Sequence, residues 1–278
     1  MSVVAMLEGS ETADRATVQT ALGIARRLNV PVKGLCALPD PAAALIVMST
    51  PEATGLAASA TRDIAALQEQ VIERAKGIFD SVTGTGAHGL DCSFAHVVDI
   101  AERAGANAAT LADAVVFPHS VQKAADPLSL SFEYVLMDAR LPVVMAGSEP
   151  LADGPVIVAW DGSNGAARAV RFHLALVKAF GEVIIAQNEK DLGKDQQRDA
   201  ANPAALESWL DSHNVKHSRM PIEGNEVAGG LLSLAKGSNA SMIVAGAYGH
   251  SRIGERLFGG TTQRLLEAAD APALALAR

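Results

Sequence analysis

The chain has 278 residues, and 23 Lys+Arg against 31 Asp+Glu give a net charge of −8. At roughly 100–200 residues per domain it holds one large domain or two compact ones, and an acidic chain without long basic runs is not a general nucleic-acid binder. Hydrophobic residues reach 49% and aromatics only 4%, so the apolar mass is Ala, Val, Leu and Ile, enough for a large packed core and incompatible with disorder or a collagen-like chain.

Residues 3–7 read as a strand ending at Glu8-Gly9-Ser10, followed by a helix over 12–28 and a strand over 31–37. The start has no basic segment and meets a carboxylate at Glu8, so no secretory signal is expected and a soluble, cytoplasmic protein is. Residues 38–59, rich in Pro, Ala, Ser and Thr, form an insertion around Leu45-Ile46-Val47-Met48. It is expected to pack on its own domain, with a lid or partner-binding segment as the alternative. Its apolar run over 42–48 is far short of the roughly 20 residues a membrane helix requires. A helix over about 61–82 leads to Gly84-Thr85-Gly86-Ala87-His88-Gly89. This matches the GxGxxG dinucleotide fingerprint by letter, but it follows a helix and precedes a strand, so it is read as a loop. Strands follow over 91–96, 113–117 and 142–146.

Turn formers gather at 148–154. Beyond them, strands over 155–160, 182–187, 215–221, 241–245 and 272–277 alternate with helices over 165–180, 203–213, 226–236 and 261–269. Such alternation with continuous apolar strands implies parallel sheets covered on both faces, doubly wound by right-handed crossovers. Each half supplies five strands.

The two halves repeat. Val3-Val4-Ala5-Met6-Leu7-Glu8-Gly9-Ser10 reads against Val156-Ile157-Val158-Ala159-Trp160-Asp161-Gly162-Ser163, and the ends around Pro142 and Pro272 also match. The offset is 161 − 8 = 153 at the front and 272 − 142 = 130 at the back, so the first half carries about 23 extra residues, placed in 38–59. The expected modules are 1–149 and 150–278.

In such sheets ligands bind beyond the carboxyl ends of the strands, where the winding reverses. The fourth strand of the second half runs into Gly246-Ala247-Tyr248-Gly249, and Gly259-Gly260-Thr261-Thr262 then opens a helix. Glycines let backbone N–H groups converge on an anion, and the unpaired amides of a helix start favour negative charge. Arg252, Arg256 and the threonine hydroxyls would add donors, and His250 beside the loop could touch a phosphate. Taken alone, the same residues read equally as a turn and a helix cap. With strand order 3-2-1-4-5, however, the loop faces Asp161, whose carboxylate could accept from an adenine amino group or cap a helix, a role Ser163 could also fill.

The spacing Gly-x2-Gly-x9-Gly at Gly246, Gly249 and Gly259, behind a hydrophobic strand and paired with Asp161-Gly162-Ser163, resembles the universal stress protein family. Two such modules resemble its tandem members, strongly in the second half and weakly in the first. The resemblance implies an adenine-nucleotide alpha-hydrolase-like fold and a stress-response protein that binds ATP, with or without magnesium. It implies that Ala159, Trp160 and Asp161 meet adenine, that Gln187 lies near base or ribose, and that Ala245 and Gly246 flank the nucleoside. Gly249, Gly259, Gly260 and Thr261 would hold phosphates. The family pattern has Ser or Thr after its last glycine, where this chain has Gly260, and Trp160 would either stack on a base or block the pocket. The family's habit of dimerising through its last strands implies an internal pseudo-dimer and a homodimer, since 143–146 and 272–277 are candidates for open sheet edges.

The first half lacks the loop. Its matching segment from Val115 to Pro127 has no glycine, and Pro118 stands where the first is needed, removing an N–H donor. Residues 1–150 hold 10 basic and 17 acidic residues (−7), and residues 151–278 hold 13 and 14 (−1), so an anion prefers the second half. The first module reads as a degenerate structural or sensing partner. Cys36 and Cys92 sit in apolar runs as small thiols, with no metal-ligand spacing and no assigned metal. No Walker A or Gly-x-Ser-x-Gly sequence occurs, so no catalytic residue is assigned and slow ATP hydrolysis is the most expected of it. The alternatives are an interaction or chaperone-like stress protein with an empty loop, and a small-molecule enzyme of the same fold group.

Overall fold

The computed structural model describes residues 2–41, 54–123, 125–188, 203–223, 226–247 and 260–278. The insertion core at 42–53, and with it the lid alternative, lies outside the described residues, as do Gly249, His250, Arg252, Arg256 and Gly259.

Continuous apolar runs produce the strands. β1 (Val3–Leu7), β2 (Val32–Leu38), β3 (Cys92–Val98), β4 (Ala114–Phe117) and β5 (Val143–Met145) belong to the first half. β6 (Val156–Ala159), β7 (Glu182–Gln187), β8 (Lys216–Pro221), β9 (Met242–Gly246) and β10 (Ala273–Ala277) belong to the second. All β1, β4, β5 and β10 residues are buried, as expected of strands covered on both faces. Within each module the strand order is 3-2-1-4-5 with parallel pairing, the expected doubly wound arrangement.

The last strands are not left open. β5 and β10 pair antiparallel, with Leu274 opposite Met145, Ala275 opposite Val144 and Leu276 opposite Val143. One sheet of ten strands therefore runs β3-β2-β1-β4-β5-β10-β9-β6-β7-β8, symmetric about its single antiparallel joint. The expected edges satisfy each other's backbone groups, and β3 and β8 become the outer strands.

Helices cover both faces. α1 (Glu11–Leu28), α2 (Thr54–Gly86), α5 (Asn164–Phe172), α6 (Leu174–Phe180) and α7 (Pro203–Ser212) pack over a core containing Val3, Val18, Phe79, Val158, Val170 and Leu210. α3 (Ala101–Ala109), α4 (Ser129–Glu133), α8 (Val227–Gly237) and α9 (Gly260–Glu267) cover the other, with Phe117, Phe132, Ile157, Leu231, Leu265 and Leu276. Each core crosses from one module into the other. No described helix is long and apolar enough to cross a membrane.

Three local expectations differ from the structure. The helix over 165–180 is two helices, because His173 leaves helical geometry at φ −96° and ψ 17°. Its buried ring Nε2 donates to the Leu276 carbonyl at 3.1 Å, tying the break to β10. The helix expected over 61–82 begins earlier and ends later, so Gly84 and Gly86 of the GxGxxG match lie in the last turn of α2. There the Thr83 and Thr85 hydroxyls bond back to the Phe79 and Ser81 carbonyls, and His88, at φ +47°, and Gly89, at φ +88°, make the turn. Finally, the 3-10 helix His119–Gln122 after β4 carried no sequence signal.

Candidate functional site

β6 and β9 are neighbours, so their carboxyl ends open onto one crevice at the point where the winding reverses. A cavity of about 360 Å³ lies there, within the range of small-ligand sites. Its inner wall is aliphatic: Ala159, Ala186, Ile222, Leu231, Ala245 and Leu265. Its rim is polar, formed by Asp161, Ser163, Asn188 and the first turn of α9 at Gly260, Thr261 and Thr262. An apolar slot beside a rim of donors suits a flat base carrying an anionic tail.

Local chemistry sets the rim. Gly162 turns the chain at φ +73° after β6. The Asp161 Oδ1 accepts from the Ser163 N–H at 2.8 Å, and the Ser163 Oγ accepts from the Ala166 N–H at 3.1 Å. Ser163 is thus the N-cap of α5, which leaves the exposed Asp161 carboxylate at the cavity with its other oxygen outside the cap.

Gly246 is required by close approach. A Cβ there would stand 2.6 Å from the Gly165 carbonyl carbon and 2.7 Å from the Ala166 nitrogen. The end of β9 therefore rests on the backbone at the start of α5. The Thr262 hydroxyl, almost wholly buried, donates to the Gly246 carbonyl at 3.1 Å and fixes the first turn of α9 against the same strand end. The first amides of any helix lack intrahelical acceptors, and α9 has no acidic residue in its first turn, so this turn retains the helix's positive end. Farther out, Glu226 caps α8 by accepting from the Gly229 N–H at 2.6 Å and pairs with Arg264 of α9, holding those two helices together.

Most of the sequence-expected residues within the described segments meet at the crevice: Ala159, Asp161, Ala245, Gly246, Gly260 and Thr261. Trp160 borders the cavity, but its indole is buried in the core on the α5–α6 side, where alternation from Val158 places it. Gln187 does not line the cavity. The two-residue period of β7 carries it to the side of Val183 and Ile185, and Ala186 and Asn188 take the crevice side instead. The sequence reading missed Asn188, Ile222, Val227 and Leu231; strict alternation along β7 and the apolar start of α8 would have pointed to them.

Gly260 is open: a Cβ there meets nothing within 4 Å. Gly260→Ser is therefore expected to fold normally and to add a hydroxyl donor at the rim, tightening nucleotide binding by about 5–10-fold, the worth of one hydrogen bond. Calorimetric titration of the variant against the parent with ATP checks this; equal or weaker affinity would place the phosphates away from residue 260.

In the first module, carboxyl groups gather at the turn that follows β1. The Glu8 and Gly9 amides both donate to the Asp14 carboxylate at 2.9 Å, so the donors at this turn are consumed internally. Burial and the neighbouring Asp126 push the Glu8 carboxyl up to about 7, and burial pushes Asp14 up to about 6. Past β4, Pro118 leads into the 3-10 helix, whose Val121 is buried, rather than into a glycine loop. Elsewhere Cys36 and Cys92 are unpaired thiols, and burial pushes Cys36 up to about 12, far from a reactive thiolate.

Residues 154–276 match the sequence model of the universal stress protein family. The second module belongs to that family. Two solved structures from Pseudomonas aeruginosa share the architecture of the whole chain. One, a protein of unknown function from strain PAO1, is 13% identical with a TM-score of 0.54, covering 99% of this chain and 92% of its own. The other, a candidate universal stress protein from strain UCBPP-PA14, is 14% identical with a TM-score of 0.52 and the same coverage, 99% and 92%. At these identities the likeness is one of fold, and it extends over both halves of the chain. No curated protein sequence matches it.

Proposed function

We propose that this universal stress protein binds an adenine nucleotide, ATP with or without magnesium, in the crevice of its second module. The observation that carries the reading is the cavity whose aliphatic wall, between Ala159 and Leu265, opens directly onto the first turn of α9. The base would lie in the aliphatic slot with its amino group toward Asp161. The phosphates would lie at Gly260 and Thr261, where helix amides and dipole favour an anion.

In this reading the protein acts by binding, with Asp161 as the carboxylate at the described rim. A ligand that prefers one arrangement of the crevice would shift the population toward it, which is the simplest way for a binding module to report a stress state. The β5–β10 joint forms the pseudo-dimer within one chain, and association of two chains would proceed through β3 or β8.

Thermal shift and calorimetric titration with ATP, AMP and buffer, each with and without magnesium, test the reading. The expected result is saturable stabilisation by ATP with one site per chain. No stabilisation by either nucleotide at millimolar concentration would overturn it and favour an interaction module whose crevice stays empty.

A further inference from the structure

The outer strands β3 and β8 occupy equivalent places in the two modules, yet their open edges differ. At β3 the phase is fixed from both ends. The Val32 N–H donates to the Asp91 carbonyl at 2.9 Å, and the Asp99 N–H donates to the Leu38 carbonyl at 3.0 Å. The two-residue period and the parallel register then turn the backbone groups of Ser93, Ala95 and Val97 toward β2. Cys92, Phe94, His96 and Val98 aim theirs outward, where no described residue pairs with them.

At β8 the Ile222 N–H donates to the Gln187 carbonyl at 2.8 Å, so His217, Arg219 and Pro221 are the outward residues. Pro221 has no N–H to offer. Arg219 Nε stands 3.3 Å from Glu207, His217 Nδ1 stands 3.7 Å from Asp211, and Lys216 is exposed at the start of the strand. Proline and charged side chains are what natural sheets use to keep an edge from pairing. β3 has neither: its seven residues, Cys92–Val98, include no Pro, Lys, Arg, Asp or Glu.

The side chains around that edge are apolar and partly uncovered. Cys92 and Phe94 pack toward α2, with the Phe94 ring 6.0 Å from Phe79, and Ala95 and Val97 pack toward the opposite core. Val98 and the neighbouring Ile100 remain 52% and 61% exposed.

We propose that β3 docks β3 of a second copy of this chain, antiparallel about a two-fold axis at Ala95. In that register Phe94 lies opposite His96 of the other copy and Cys92 lies opposite Val98, and each pair exchanges both of its hydrogen bonds. The pairing covers Val98 and brings Ile100 toward Leu90 of the other copy. Asp91 comes opposite Asp99, whose carboxylate accepts from Arg103 Nε at 2.9 Å, so it meets an ion pair instead of a bare like charge. A two-fold contact closes at the dimer, because each β3 is consumed and β8, with Pro221 and its charges, does not extend the sheet. The fold already joins its own modules in this manner, by the antiparallel pairing of β5 with β10. The dimer is independent of the nucleotide reading, since β3 and the crevice of the second module lie in different halves of the sheet.

Sedimentation velocity on the full chain over a concentration series tests this. The expected result is a reversible monomer–dimer equilibrium with no larger species. His96→Pro removes one outward donor from each copy and is expected to weaken the dimer roughly 30-fold, the worth of two hydrogen bonds. Val98→Lys makes the same test without a backbone change, should the proline variant fail to fold. Lys216→Glu, on β8, is expected to leave the dimer unchanged. Val98→Cys places a thiol about 5.5 Å, between Cα atoms, from Cys92 of the other copy, so mild oxidation is expected to give a reducible covalent dimer that the parent does not form. A monomer at every concentration, as for an edge that takes a foreign strand or none, would overturn the proposal. So would oligomers that grow beyond the dimer, a dimer weakened by Lys216→Glu or indifferent to both β3 variants, or a dimer of Val98→Cys that oxidation does not link.

Discussion

Gly246→Val is expected to abolish ATP binding by the second module and to lower its stability by roughly 2–3 kcal/mol, the usual cost of overpacking a close-packed site. A branched side chain there meets backbone rather than a yielding side-chain tip, because the nearest atoms are the Gly165 carbonyl carbon and the Ala166 nitrogen. To make room, β9 must separate from the start of α5. That movement breaks the hydrogen bond from Thr262 to the Gly246 carbonyl and swings the first turn of α9 away from the aliphatic slot. Urea denaturation gives the stability change and calorimetric titration the affinity. A folded variant that binds ATP within twofold of the parent would show that the crevice does not depend on this contact.

Acid is expected to weaken the fold between pH 6.5 and 4, by up to roughly 3 kcal/mol through one residue. His173 is buried at the break between α5 and α6, its Nε2 donating to the Leu276 carbonyl of β10, and burial pushes its pKa down from 6.5 to about 4. Between those values the unfolded chain takes up a proton that the folded chain refuses. Stability contributed by the neutral ring is therefore complete above pH 6.5, declines as the pH falls, and changes no further below about 4. His173→Gln retains a donor for the carbonyl but no titrating group, so relative to the parent it should lose less stability as the pH falls through this window. Equal acid slopes for variant and parent would remove His173 as the cause. Glu8 acts in the opposite sense, losing stability as the pH rises through about 7, so the two residues together favour a maximum between these limits.

Much of the architecture was legible because it is written in local patterns. Apolar runs bounded by turn formers gave the ten strands to within one or two residues, apart from the earlier starts and late ends of α2 and the break at His173. The Asp161-Gly162-Ser163 turn and the step from β9 into Gly246 placed two walls of the crevice. Side-chain direction was less legible. Gln187 and Asn188 are adjacent and both polar, and only the phase of β7 decides that Asn188 reaches the cavity. Trp160 is a similar case: its place beside Asp161 suggested a base partner, while alternation from Val158 buries the indole in the opposite core.

The sequence by itself determined the duplication, the alternation of strands and helices, and the poverty of anion donors in the first half, since Pro118 and the excess of acidic residues are local properties. Tertiary structure alone decided that β5 and β10 close on each other, that Asp14 accepts from the Glu8 and Gly9 amides, and that His173 reaches the Leu276 carbonyl. These contacts join segments more than a hundred residues apart or groups on separate elements. Their partners are chosen by how two sheets twist and meet, information that no window of the chain contains.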